Sequence, residues 1–534
     1  MLPTRRQLHS LTRDPAMMRR AVLLTVAVFL ATAIWIGFAR PASPPIPRPG
    51  EAALPGIASA LNSLNPDRTA LLRALRDDAE AQARRGISRD PEEEYAQEPI
   101  SPRQLPLLLA DGSLPVEEQN AFLAWHQAVG AGTVPPGLIA QLAGFPMPSA
   151  PGLPRTMAAD LQRVARDYQG ALAAYEAVGS DPANIEARRR AVSLSMNRGW
   201  TEVTARLLAQ PAYYQAVHSV SDTLSHLVAR EQLDVRLLFR RSLDNMISGF
   251  QHVDYLLLSL LTASVWFISL HLACRLPRRQ WWLSLAGLPL GIFSTVIAIF
   301  LQSLQEARHG LADSDAAGPA LLFQIASVGL REELSKLLCF LPLCLLLLRR
   351  GTPAQAFMAA SCAGLGFALQ ENIGYYLQYG GEAVLARFVS STFLHLALTG
   401  LTGLALFKFL RYPRKFAPLF FATFTGMVLF HGFYNFSQGG FDNPFARELA
   451  HLFPWLIAGL AWHYFRSIRE EQDDAPQLLG AEFVFLLGTT IVMGTLLNYL
   501  IQQSGWDEAL KAFVPTALSS VVTCWLFHHF LRHA

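Results

Sequence analysis

The sequence predicts an all-α, polytopic membrane helix bundle of about ten spans, with a helical domain on the outer face of the membrane near its N-terminal end. Three observations predict it. Only 16% of the 534 residues are charged, against about 25% in soluble proteins, and the mean hydropathy is +0.26. The charge is concentrated in the first half, while the second half is a succession of long apolar runs. The short loops between those runs alternate between basic and acidic, as the bias of Lys and Arg toward the cytoplasm requires.

A spanning helix needs about 20 mostly apolar residues. The first such run is 21–38, preceded by Arg5, Arg6, Arg13, Arg19 and Arg20. It is longer than the usual core of a cleaved signal peptide, so an uncleaved anchor is expected. Nine more runs follow at 255–273, 282–301, 319–348, 354–377, 384–410, 417–436, 449–465, 479–501 and 513–530. With the N-terminus inside, the cytoplasmic loops carry Arg275/Arg278/Arg279, Arg349/Arg350, Lys408/Arg411/Arg414/Lys415 and Arg466/Arg469. The outer loops carry Asp313/Asp315, Glu382, Asp442 and Asp507/Glu508, with Arg308, Arg447 and Lys511 as exceptions. Both termini are therefore expected in the cytoplasm.

Three segments result: a cytoplasmic tail and anchor (1–40), an extracytoplasmic helical region (41–250) and a multi-spanning region (251–534). The second begins with a stiff Pro-rich linker at 41–49 and shows apolar residues at helical spacing over 156–179 and 186–210. It contains no catalytic signature and reads as a small helical domain available to a substrate or partner. The net charge of +3 gives no ground for a nucleic-acid partner. The five cysteines all lie in or beside apolar runs, which argues against a disulfide framework or a CxxC zinc site.

Ionisable groups in a bilayer are costly and need partners or a wet cavity. Here they occupy four successive runs. The fourth, SVGLREELSKLLCF, holds Arg331, Glu332, Glu333 and Lys336; Glu332 and Lys336 share a face, and Glu333 lies about 100° around the helix. The fifth, GLGFALQENIGYYL, holds Glu371 and Asn372, with Gly364, Gly366 and Gly374 allowing close helix approach. The sixth carries a polar stripe of Thr392, His395, Thr399 and Thr402. The seventh has His431 and Asn435 one turn apart. At about 1.5 Å per residue, Glu332, Glu333, Glu371, His395 and His431 fall at similar depth, between the bilayer middle and its outer third.

Such a set suits amide hydrolysis inside a membrane. A glutamate in apolar surroundings serves as base and then acid. Histidine donates to an oxyanion, relays protons or binds a metal, and asparagine is a neutral oxyanion donor. A Glu/His set such as Glu371, His395 and His431 also suits a divalent metal such as zinc, although the spacing is not HExxH. Each residue has a plainer reading as a packing hydrogen bonder or, for Glu332 with Lys336, a buried ion pair.

The motifs have a familiar order. Glu332-Glu333-x-x-Lys336 resembles the EExxK motif of the PrsW family of intramembrane proteases, and Phe367-Ala368-x-x-Glu371-Asn372 its FAxxEN motif. His395 followed by Gly400 resembles the third motif, and His431 followed by Asn435 the fourth. The resemblance covers 319–436. The related CAAX-protease and bacteriocin-processing group often has Arg in place of Lys336 and His in place of Glu371, so the chain is more similar to PrsW. The resemblance implies a multi-pass enzyme of the inner (cytoplasmic) membrane that makes site-1-type cuts in membrane-anchored regulators such as an anti-sigma factor. It implies catalytic roles for Glu332, Glu333, Glu371, His395 and His431, supported by Lys336, Asn372 and Asn435. A proton-coupled transporter, or a non-catalytic scaffold or immunity-type protein, is the alternative.

Overall fold

The computed structural model describes residues 10–39, 60–61, 67–85, 105–111, 114–148, 150–217, 220–277, 280–309, 317–439, 452–472 and 479–533. The Pro-rich linker and the loop charges Arg5, Arg6, Arg278, Arg279, Asp313, Asp315, Asp442 and Arg447 lie outside them. Among the described residues all regular structure is helical. The chain divides into two compact units, Ala42–Leu233 and the combination of Met1–Pro41 with Asp234–Ala534.

The Ala42–Leu233 unit is a set of short helices. Leu71, Leu72 and Leu75 pack with Phe122, Trp125, Met157 and Leu161 in its core. The periodicity over 156–179 predicts one helix, but the structure has two, Leu153–Val164 and Tyr168–Gly179. Arg166 turns the chain with φ 65°, and Asp167 caps the second helix by accepting from the Gly170 amide at 3.0 Å. The 186–210 window likewise splits into Ile185–Asn197 and Thr201–Leu208 at Gly199, whose φ of 66° favours glycine. A buried charge network crosses this core. Arg76 pairs with Asp160 at 2.8 Å and with Glu186, and Tyr175 donates to Asp160 at 2.5 Å. Burial works against the Arg76 charge, but the two carboxylates outweigh it and hold its pKa above the ordinary arginine value.

Among its described residues the other unit has ten helices of 19 residues or more: α1 (Pro15–Ala39), α2 (Val253–Ala273), α3 (Gly287–His309), α4 (Leu330–Arg350), α5 (Pro353–Tyr379), α6 (Ser391–Arg411), α7 (Pro413–Gly439), α8 (Phe453–Glu471), α9 (Ala481–Ser504) and α10 (Trp506–Arg532). Among the described residues, seven segments of it are long and apolar enough to cross a membrane: Pro15–Ile36, Val253–Ala273, Trp281–Arg308, Ala383–Arg411, Pro413–Gln438, Ala481–Ser504 and Trp506–Arg532. The three expected runs outside that set are α4, α5 and α8, and each has a physical reason. In α4, Leu330, Leu334, Leu338 and Leu345 are exposed at helical spacing, while Arg331, Glu332, Glu333 and Lys336 are buried. The helix is apolar outward and charged inward, so its average composition is only moderately apolar. In α5, every residue from Ala354 to Leu369 is buried. Its surroundings are protein, and small residues serve packing there rather than lipid contact. In α8, the C-terminal turns carry Arg466, Arg469, Glu470 and Glu471.

α5 is the central element, packed chiefly on α6 and α3 and also on α2. Its start is defined locally by a capping box between Thr352 and Gln355, with Pro353 in the first turn. Its crossing with α6 depends on Gly364, where a β-carbon would collide with the main-chain carbonyl of His395. Gly366 plays the same part against Leu288 of α3, whereas Gly374 faces open space. Gly364→Val is therefore expected to cost at least the 1–3 kcal/mol typical of overpacking, roughly, because the atom met is backbone. A lowered thermal midpoint of the purified protein, with loss of the monodisperse fraction, is the measurement.

Candidate active site

The chain approaches the site through an irregular helix. A short helix, Ala317–Leu322, passes into a π-helical turn, Phe323–Gly329, and then into α4. Such turns are uncommon and often adjoin functional residues. α7 lies against this turn: a β-carbon at Gly432 would meet the Ile325 backbone, and one at Gly329 would stand 2.8 Å from the Val428 carbonyl. The close crossing brings His431 over the first turn of α4, as Gly364 brings His395 over α5.

The carboxylates and imidazoles of four helices converge. Glu333 Oε1 accepts from Lys336 Nζ and from His431 Nδ1, both at 2.8 Å. Lys336 Nζ also donates to His395 Nδ1 at 2.8 Å and lies 4.0 Å from the centre of the Phe367 ring, a cation–π placement. On its other side, His395 Nε2 donates to Glu371 Oε2 at 2.8 Å. That oxygen also accepts from Arg387 Nη2 at 2.6 Å. The two imidazole centroids are 5.1 Å apart.

The two adjacent glutamates differ in kind. Glu333 is held by two donors, and its side chain is 1% exposed, whereas that of Glu332 is 12% exposed. Glu332 Oε2 has no hydrogen-bond partner; it lies 3.6 Å from His431 Nε2 and 3.7 Å from Lys336 Nζ. That oxygen is a buried acceptor with no donor at hydrogen-bonding distance.

The partners also define the imidazoles. His395 accepts at Nδ1 and donates at Nε2, while His431 donates at Nδ1 to a carboxylate and turns Nε2 toward Glu332. Each ring is thus braced from behind by a carboxylate, the arrangement common to metal-binding histidines. Glu332, His395 and His431 present ligand atoms within 4.8 Å of one another. With the unpartnered Glu332 oxygen, this donor set fits a divalent cation, provided the Lys336 ammonium gives up His395 Nδ1. Sequence spacing groups Glu371 with the two histidines for that purpose; in the structure Glu332 forms the three-residue group, and Glu371 braces His395.

Of the supporting residues, Lys336 is central. Asn372 faces away from the imidazoles, donating to Thr392 Oγ1 at 3.1 Å and accepting from Arg387 Nε at 2.6 Å. Asn435 is half-buried one turn beyond His431 and makes none of the cluster's hydrogen bonds. Thr399 and Thr402 are buried farther along α6 without hydrogen-bond partners. Two basic residues at the site carry no role in the sequence reading. Arg331, buried beside Glu332, donates to Ser327 Oγ at 3.0 Å and Gln302 Oε1 at 3.1 Å. Arg387 precedes α6 by a few residues, where an arginine reads as an ordinary loop charge; its only signal is its place inside the apolar run 384–410.

A helical membrane protein with convergent buried glutamates, histidines and a lysine defines the class: a polytopic protein with a built polar site among its helices. More particularly, residues 279–461, about a third of the chain, match the family model described as PrsW family intramembrane metalloprotease. All four motifs lie within the matched segment. No curated protein and no solved structure matches the chain.

Proposed function

We propose that the chain is a peptidase that hydrolyses peptide bonds of membrane-anchored proteins within the bilayer. One observation carries the reading: a buried glutamate with an unpartnered oxygen, Glu332, stands beside two imidazoles, each braced by its own carboxylate. Lack of a donor alone does not set Glu332 apart, since Glu186 Oε2 in the Arg76 network also has none; its place does, with the oxygen 3.6 Å from His431 Nε2 and in one group of ligand atoms with both imidazoles.

In this reading Glu332 takes a proton from water as the water oxygen attacks the scissile carbonyl carbon, and later gives it to the leaving amine. Lys336 uses two of its three N–H donors on Glu333 and His395, which leaves the third for the developing oxyanion. His431 Nε2 orients the water. If an ion such as zinc is bound by Glu332, His395 and His431, it lowers the pKa of its water toward neutrality.

All ten long helices span the membrane in this reading, with both termini cytoplasmic. Pairings at helix ends support the parity. Thr12 and Arg13, before α1, meet the start of α9 through Gly480 N at 3.0 Å and Glu482 at 3.2 Å. The ends of α6 and α8 meet through Lys408 and Glu471. The end of α9 meets the start of α2 through Tyr499 and Asp254 at 2.9 Å. The positive-inside bias then assigns α1's start to the cytoplasm of an inner membrane, and the Ala42–Leu233 unit to the outer side as a substrate or partner domain.

The test compares new protein N-termini in membranes expressing wild type or His431→Ala at equal levels. Fragments of single-pass proteins, an anti-sigma factor being the first to inspect, are expected with wild type alone. The same fragments with both proteins would reject the reading.

A further inference from the structure

Arg387 belongs to none of the four motifs. It sits in the short helix Ala383–Val389 that leads into α6, eight residues before His395. Arg387 is buried, 9% exposed, and its guanidinium carbon lies 3.7 Å from the centre of the Tyr375 ring. Two of its adjacent N–H groups grip two consecutive residues of α5. Nε donates to Asn372 Oδ1 at 2.6 Å, and Nη2 to Glu371 Oε2 at 2.6 Å. The Glu371 oxygen so held is the one that accepts from His395 Nε2.

Two roles are open to a buried arginine here. As a neutraliser of Glu371 it would need only its charge, and lysine would serve. As a clamp it needs two donors in a fixed plane, aimed at two acceptors at once, which an ammonium cannot reproduce. The geometry is that of a clamp: the Tyr375 ring contact and the Asn372 bond hold the guanidinium, and the guanidinium holds the Glu371 carboxylate. A fixed carboxylate fixes in turn which nitrogen of His395 carries its proton.

We propose that Arg387 is a positioning residue of the peptidase site, acting through Glu371 to hold His395 with its Nε2 proton on the carboxylate and its Nδ1 lone pair on the Lys336 side. The proposal rests on the protease reading above.

The experiment uses the full chain in liposomes, with a peptide spanning a cut mapped for wild type. Arg387→Lys keeps the charge and loses the fork. The expected result is a fall in kcat of about 10–100-fold, the usual cost of losing a ligand's supporting partner, with KM unchanged and the protein still folded. Wild-type kcat in Arg387→Lys would overturn the proposal, because charge alone would then suffice. Should Arg387→Lys fail to fold, Arg387→Gln/Glu371→Gln is compared with Glu371→Gln, since the double variant leaves no unpaired buried charge. Equal kcat in the two is expected if Arg387 acts through Glu371; a further tenfold loss in the double variant overturns it. If wild type yields no cut to map, the protease reading itself fails, and this role with it.

Discussion

Glu332→Gln is expected to slow cleavage by about 10²–10⁴-fold, the range for loss of a general base, while thermal stability holds or rises. The substitution keeps the shape of the side chain and removes a charge that is mostly out of water, with one oxygen lacking a hydrogen bond. Taking away such a charge relieves desolvation without breaking a bond. Glu333→Gln is expected to behave differently. Its carboxylate is the close partner of Lys336 and the acceptor for His431 Nδ1, so neutralising it should lower stability as well as rate. The pair is measured together, as cleavage rate and thermal midpoint of each purified variant. A full-rate Glu332→Gln protein beside an inactive but stable Glu333→Gln protein would exchange the two roles.

That distinction was not legible in the sequence, where EE is a pair of like residues. What was legible was the chemistry and its order. Acids, imidazoles and a lysine inside apolar runs stand out because lipid penalises them, and they fell on consecutive runs at comparable depth. Spacing also put Lys336 within reach of a neighbouring glutamate. Spacing cannot say which faces meet, since that depends on helix crossings, and the crossings rest on Gly364 and on the pair Gly329 and Gly432 at the π-helical turn. The third member of the histidine group followed the crossings: Glu332 stands there, while Glu371 went behind His395. Arg387 gives no signal in the sequence because its contacts are with two residues of another helix, and Asn435, expected as a supporting residue, stands one turn beyond His431 outside the cluster's hydrogen bonds. In the fold, the helices were recognisable from long runs, but α4 and α5 are less apolar than spans exposed to lipid. One hides its charges inward, and the other is enclosed by its neighbours. In the Ala42–Leu233 unit, periodicity carried on across the turns at Arg166 and Gly199, because the apolar face resumes in phase after each turn.

Lys336→Met is expected to destabilise the protein by about 3–5 kcal/mol, the cost of leaving one member of a buried pair uncompensated. Lys336 is fully buried, with 0% exposure, and its ammonium is shared among Glu333, His395 and, more distantly, Glu332. Without it, three acid or imidazole groups face one another with no cation among them. Methionine matches the stem in length, so little of the loss would come from packing. The control is Lys336→Met/Glu333→Gln, which removes both charges and leaves the amide oxygen to accept from His431. It should recover most of the lost stability while remaining inactive, because a buried pair can often be replaced by neutral groups at little cost. Denaturant titration of both proteins in the same detergent gives the comparison. Equal loss in single and double variants would mean that the ammonium is held by the shape of the site rather than by its charge partner. Recovery in the double variant would show that the lysine is kept for its charge at the site, since the fold can do without the pair.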